Sequence, residues 1–146
     1  MLRSVLTYLT TNCSYHSFGL LILRIIGGLM MLYNHGWGKI TADPEKWNRL
    51  GHALTDIIGF EFLSTFFGFM AAFSESVCAL LIVIGLFTFP ASILLLFTMT
   101  VASINHIIDR EIPELAIMYF AVTLALILIG PGKLSLDHKY FSKLQE

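Results

Sequence analysis

LSTFFGFMAAFSESVCALLIVIG, Leu63–Gly85, decides the fold. A helix needs roughly 20 apolar residues to cross about 30 Å of hydrocarbon, and this run has them. Its single charged residue is Glu75, near the middle. In lipid only a helix of this kind pairs its own backbone groups, so the run reads as a transmembrane helix. Three similar runs accompany it: Ser17–His35, Thr88–Ile108 and Pro113–Gly132. Together they predict an all-α membrane protein, an antiparallel bundle of four transmembrane helices forming a single membrane domain over residues 1–146.

The connections fit this plan. Leu86 and Phe87 join the second span to the third as a tight hairpin, with Thr88 as the expected N-cap and Pro90 in the first turn. Asp109–Ile112 joins the third to the fourth. The long connection, Gly36–Phe62, contains a helix start at Asp43-Pro44-Glu45. Trp47, Leu50, Leu54, Ile57 and Ile58 then recur at helical spacing opposite Lys46, Arg49, His52 and Asp56. Residues 43–58 therefore read as an amphipathic helix, either interfacial with Trp47 at headgroup depth or packed on the mouth of the bundle.

Composition agrees. Of the 146 residues, 56% are apolar without counting glycine, 13% are charged, and the net charge is −1. Ordinary soluble domains have about 25% charged residues. Mean hydropathy is +0.77. These values exclude a disordered chain, a soluble globule and a basic nucleic-acid-binding surface, and they make the lipid bilayer the first partner. The N-terminal apolar run is interrupted by Thr7, Thr10, Thr11 and Asn12, so a cleavable signal is not expected. Cys13 and Cys78 have no metal-ligand or CxxC spacing, and both read as free thiols, Cys78 as packing filler. Arg3, Lys133, Lys139 and Lys143 lie on the side of the termini, while Lys39, Lys46, Arg49 and Arg110 lie on the other. That even split leaves orientation open by the positive-inside rule; we place the termini in the cytoplasm.

The costly residues carry the functional reading. At 1.5 Å per residue, Arg24 lies roughly 10 Å and Glu75 roughly 15 Å from the side of the termini. A charge at such depth costs at least about 2.5–3.5 kcal/mol unless compensated, so an Arg24–Glu75 ion pair is expected. Arg24, Gly28, Met31 and His35 share one helical face, and Ser64, Gly68, Ala72 and Ser76 form a small-residue stripe beside Glu75. The pair either pins two helices in register or holds a ligand, an ion or a proton. A second polar layer gathers His35, Asn105 and His106 at roughly 25–27 Å from the same side, with Tyr119 nearby. Histidines there serve a ligand or simply meet headgroups. Two histidines on different helices formally meet the requirement for bis-His haem, but nothing else in the sequence marks haem. A quinone headgroup is compatible with His106, Tyr33, Tyr119 and the aromatic content.

The chain resembles the DoxX family of small four-helix membrane proteins. The resemblance rests on Arg24 with Gly27 and Gly28, on HGWGK (His35–Lys39), on Glu75 followed by Leu80–Thr88, and on GPGKLSLD (Gly130–Asp137). It implies Arg24, His35, Lys39 and Glu75 as family-typical positions, without assigning a catalytic role to any. Asn105, His106 and Tyr119 rest on the layer argument alone. It also implies a multi-pass protein of a bacterial plasma membrane and a link to oxidoreductase complexes, since DoxD-type relatives are subunits of thiosulfate:quinone oxidoreductases. The expected function is thus a quinone-associated membrane subunit that needs a separate redox protein as partner. A non-enzymatic scaffold, a small transporter or ion conduit, and association of copies of the chain stay open. Gly130-Pro131-Gly132 is expected to end the fourth helix, with Lys133 and Asp137 anchoring it among headgroups.

Overall fold

A computed structural model describes residues 15–141, which are helical throughout apart from short turns and contain no strand. The expectations placed on Arg3, Cys13 and Lys143 fall outside the described residues. Among the described residues six helices follow in order: α1 (His16–Ile40), α2 (Pro44–Ile58), α3 (Glu61–Ile84), α4 (Thr88–Ile108), α5 (Glu114–Ile129) and α6 (Leu136–Phe141). Helices α1, α3 and α4 are long and apolar enough to cross a membrane, and α5 is a shorter apolar helix. Large apolar side chains such as Phe18, Ile26, Phe66, Phe97 and Leu128 point outward. On a helical bundle of this composition that surface is covered by lipid, so the chain is an integral membrane protein.

Local signals explain the helix ends. The Asp43 carboxylate accepts from Lys46 N–H at 2.9 Å and Pro44 fills the first position of α2. Gly59 ends α2 in the left-handed region at φ 78°. Thr88 does not cap α4. Instead the Asp137 carboxylate reaches back and accepts from Phe87 N–H (2.7 Å) and Thr88 N–H (2.8 Å). The expectation that Asp137 anchors α5 among headgroups gives way to this role: it satisfies the orphan donors of a different helix.

Two features separate the structure from the expected spans. Helix α1 does not stop at His35. It continues through a π-helical turn, Leu32–Gly36, so that HGWGK forms its last turns. A second π-helical turn, Ser74–Cys78, interrupts α3 and packs against the first. Helices α1 and α3 run antiparallel in close contact. A Cβ on Gly28 would lie 2.9 Å from the Ala79 carbonyl oxygen, and one on Gly36 would overlap the Glu75 carbonyl. The apolar core lies along this seam and against α4 and α5, from Leu20 through Met31, Ala79 and Ile82 to Leu95 and Leu126.

Helix α2 is held by protein contacts. It runs antiparallel along the first half of α3, Gly51 against the Ser64 backbone and Gly68 against the Trp47 backbone. The Thr55 and Ser64 hydroxyls are bonded at 2.9 Å in the same seam. The stripe of Ser64, Gly68, Ala72 and Ser76 is buried as expected, but its outer part receives α2.

Candidate functional site

Arg24 and Glu75 are both buried, yet they do not pair. Lys39 Nζ donates to Glu75 Oε1 at 2.8 Å and to Oε2 at 2.6 Å. Arg24 donates through Nη2 to the Leu134 carbonyl, with Gly85 and Ser135 packed against its guanidinium. The expected ion pair fails because the ends of the helices are staggered. The α3–α4 turn at Gly85 lies level with Arg24, about eight residues or roughly 12 Å inside the start of α1. Residues 130–137 fill that step: Gly132 packs on Leu20, and Asp137 N–H donates to the Gly85 carbonyl at 2.8 Å. Counting from Gly85, Glu75 then meets Gly36 and the end of α1, far from Arg24.

The Lys39–Glu75 pair is set by three local devices. The two facing π turns place Glu75 against the last turns of α1, and single π turns of this kind are frequent at functional sites. Gly36 removes the side chain that would hold the two backbones apart. The elbow between α1 and α2 is then tied down: Trp47 Nε1 donates to the Lys39 carbonyl at 2.7 Å and Lys46 Nζ to the Gly38 carbonyl at 2.8 Å. The Glu75 side chain is 4% exposed and that of Lys39 25%. A carboxylate so deep is sustainable only with a cation in contact, which Lys39 supplies.

The pair lies at the polar end of a cavity of about 290 Å³ between α2, α3 and α4. Its walls are apolar, chiefly Leu54, Phe66, Phe67, Met70, Phe97 and Val101. A concave apolar pocket with a few converging polar groups is the usual form of a small-molecule site.

The second polar layer does not converge into one site. His35 meets the Tyr119 ring edge-on, centroids 5.8 Å apart. Asn105 Nδ2 donates to the Ala53 carbonyl at 2.6 Å and so fastens α4 to α2. His106 is exposed and lies 2.7 Å from a Glu111 carboxylate oxygen. Each expected ligand-binding residue of this layer therefore has its own structural contact. Among the described residues no group of three His, Cys, Asp or Glu is placed to hold a metal ion, and Cys78 is a buried free thiol.

Sequence reasoning missed the partnership of Lys39 with Glu75. The signal was present: the face Arg24, Gly28, Met31, His35 continues to Lys39 if the helix is not stopped at His35. The cavity walls had no comparable signal, because Phe66 and Phe97 look like any lipid-facing aromatics. Against known proteins, the family model described as DoxX matches residues 19–106. No curated protein and no solved structure matches the chain.

Proposed function

The chain belongs to the DoxX family, and on that premise we propose that it is the membrane subunit of a redox-linked complex that binds a quinone-type ring in the cavity beside Lys39 and Glu75. The observation that carries this reading is a buried ion pair at the polar end of an apolar cavity. A ring of this class fits the residues there. Its faces suit the Phe and Leu walls, and its oxygen suits the Lys39 ammonium, which has a third N–H beyond the two directed at Glu75. Bound there, the ring would supply two-electron carrier chemistry; this chain's residues bind it, orient it and exclude water.

In this reading α5 is the fourth span of a single antiparallel membrane domain, and the termini face the cytoplasm of a bacterial cell. The electrons come from a separate redox protein. The ligand site moves from the expected His35/His106 mouth to the cavity. The close backbone seam of α1 and α3 at Gly28 and Gly36 favours a binding subunit over an ion conduit, which needs a continuous wet path.

The test is binding of trimethyl-p-benzoquinone to the purified full chain in detergent, read by quenching of tryptophan fluorescence. Binding should be lost in the Lys39→Met/Glu75→Leu double variant and kept in His106→Ala. Loss in His106→Ala with retention in the double variant would return the site to the mouth and sink the cavity assignment.

A further inference from the structure

The polar end of the cavity offers two kinds of partner side by side. Lys39 Nζ has three N–H donors, two of which are directed at the Glu75 oxygens. Each of those oxygens accepts this one bond and retains a second lone-pair site. No further hydrogen bond to either carboxylate oxygen is made among the described residues. The cavity end therefore presents a charged donor and a charged acceptor within one hydrogen-bond length of each other.

A carbonyl oxygen can use only the donor. A hydroxyl uses both, accepting from Lys39 while donating to Glu75. We propose that the site discriminates by oxidation state and holds the hydroxyl-bearing, reduced form of its ring ligand in preference to the carbonyl form. This rests on the cavity reading given above. The cavity volume narrows the ligand further. At about 290 Å³ it stands at the lower edge of the roughly 300–1,000 Å³ common for small-molecule sites. It takes one ring and leaves a long tail outside. Phe66 and Phe97 line the cavity and are 55% and 52% exposed, so the cavity wall reaches the lipid-facing surface where a tail can leave.

A hydrogen bond to a charged group is stronger than one between neutral groups, so the reduced form should bind at least about tenfold more tightly. Tighter binding of the reduced form raises the two-electron midpoint potential of the bound ring, by about 30 mV per tenfold preference. Reduction there takes two electrons from the separate redox protein proposed above and two protons from water, and the site exchanges the hydroquinone slowly.

The experiment is an anaerobic titration of the full wild-type chain in detergent with trimethylhydroquinone and, separately, with trimethyl-p-benzoquinone. The expected result is a Kd at least about tenfold lower for the hydroquinone. Equal affinities, or tighter binding of the benzoquinone, would overturn the selectivity and leave the cavity reading standing. Failure of both probes to bind would overturn the cavity reading as well. In Lys39→Met/Glu75→Leu neither probe should bind; a hydroquinone preference that persists there has another origin and also sinks the inference. The wild-type comparison decides the matter even where that variant does not fold.

Discussion

Helix α1 turns two basic residues into the protein, Arg24 in its first half and Lys39 in its last turn, and the two are treated in opposite ways. Arg24 is fully buried and bonded to a main-chain carbonyl, while its Nε and Nη1 have no hydrogen-bond partner among the described residues. The carboxylate whose charge acts on it, Asp137, is occupied with capping α4. Lys39 is partly exposed to a cavity and makes direct contact with a carboxylate. Arg24 itself is enclosed by backbone; Lys39 opens onto a cavity and has a carboxylate in reach. A buried charge is therefore not in itself the mark of a site. What separates the two ends is whether the charge is spent on the fold or shared with an accessible volume.

The sharpest way to break this contrast is to remove one charge at the open end. Lys39→Ala leaves Glu75 buried and unpaired and should destabilise the protein by about 3–5 kcal/mol. Replacing both charges in Lys39→Met/Glu75→Leu should be neutral or stabilising, since no orphan remains. Unfolding in detergent micelles checks both; a Lys39→Ala variant as stable as wild type would mean that the carboxylate is solvated and the pair has no structural role.

A second test compares neighbouring glycines on α1. A Cβ at Gly36 meets the Glu75 backbone, which has no easy way to yield, so Gly36→Ala should cost about 1–3 kcal/mol. A Cβ at Gly38 meets nothing within 4 Å. There the gain in helix propensity, up to about 1 kcal/mol, should dominate and Gly38→Ala should be neutral or stabilising. Thermal unfolding of the two variants side by side reads the sign; a Gly36→Ala protein no less stable than Gly38→Ala would refute the close seam.

The smallest effect belongs to the closed end. Asp137→Ala removes the cap of α4 and should cost about 1 kcal/mol while leaving ring binding at the far cavity unchanged. Loss of binding in this variant, with unfolding shifted only slightly, would show that the two ends are coupled and that the contrast is drawn too sharply.

The helices were legible because lipid imposes a single rule on a spanning segment: length and apolarity suffice to find α1, α3 and α4. The helix start at Asp43 and the stop at Gly130 were legible for the same kind of local reason. The pairing of charges was not, because depth was counted from assumed common boundaries. A stagger of about two turns between the start of α1 and the α3–α4 turn exchanges the partner of Glu75 from Arg24 to Lys39. The two π turns were equally hidden, since no residue type announces them, and they set the register that brings Gly36 to Glu75. The polar layer was read from depth alone. Depth brought His35, Asn105 and His106 to one level, but their azimuth gave each a different neighbour.

The Arg24–Leu134 hydrogen bond joins residues 110 positions apart, whereas Lys39 and Glu75 are separated by 36. During synthesis the Lys39–Glu75 pair can therefore form before α4 and α5 are in place. Arg24 enters the bilayer long before the carbonyl it needs has been made. Until then it must borrow water or headgroups from the nearer membrane face, which its long side chain can reach. The residues after α5 thus come late in biogenesis, and a nascent chain cut short before Leu134 would carry an unsatisfied guanidinium.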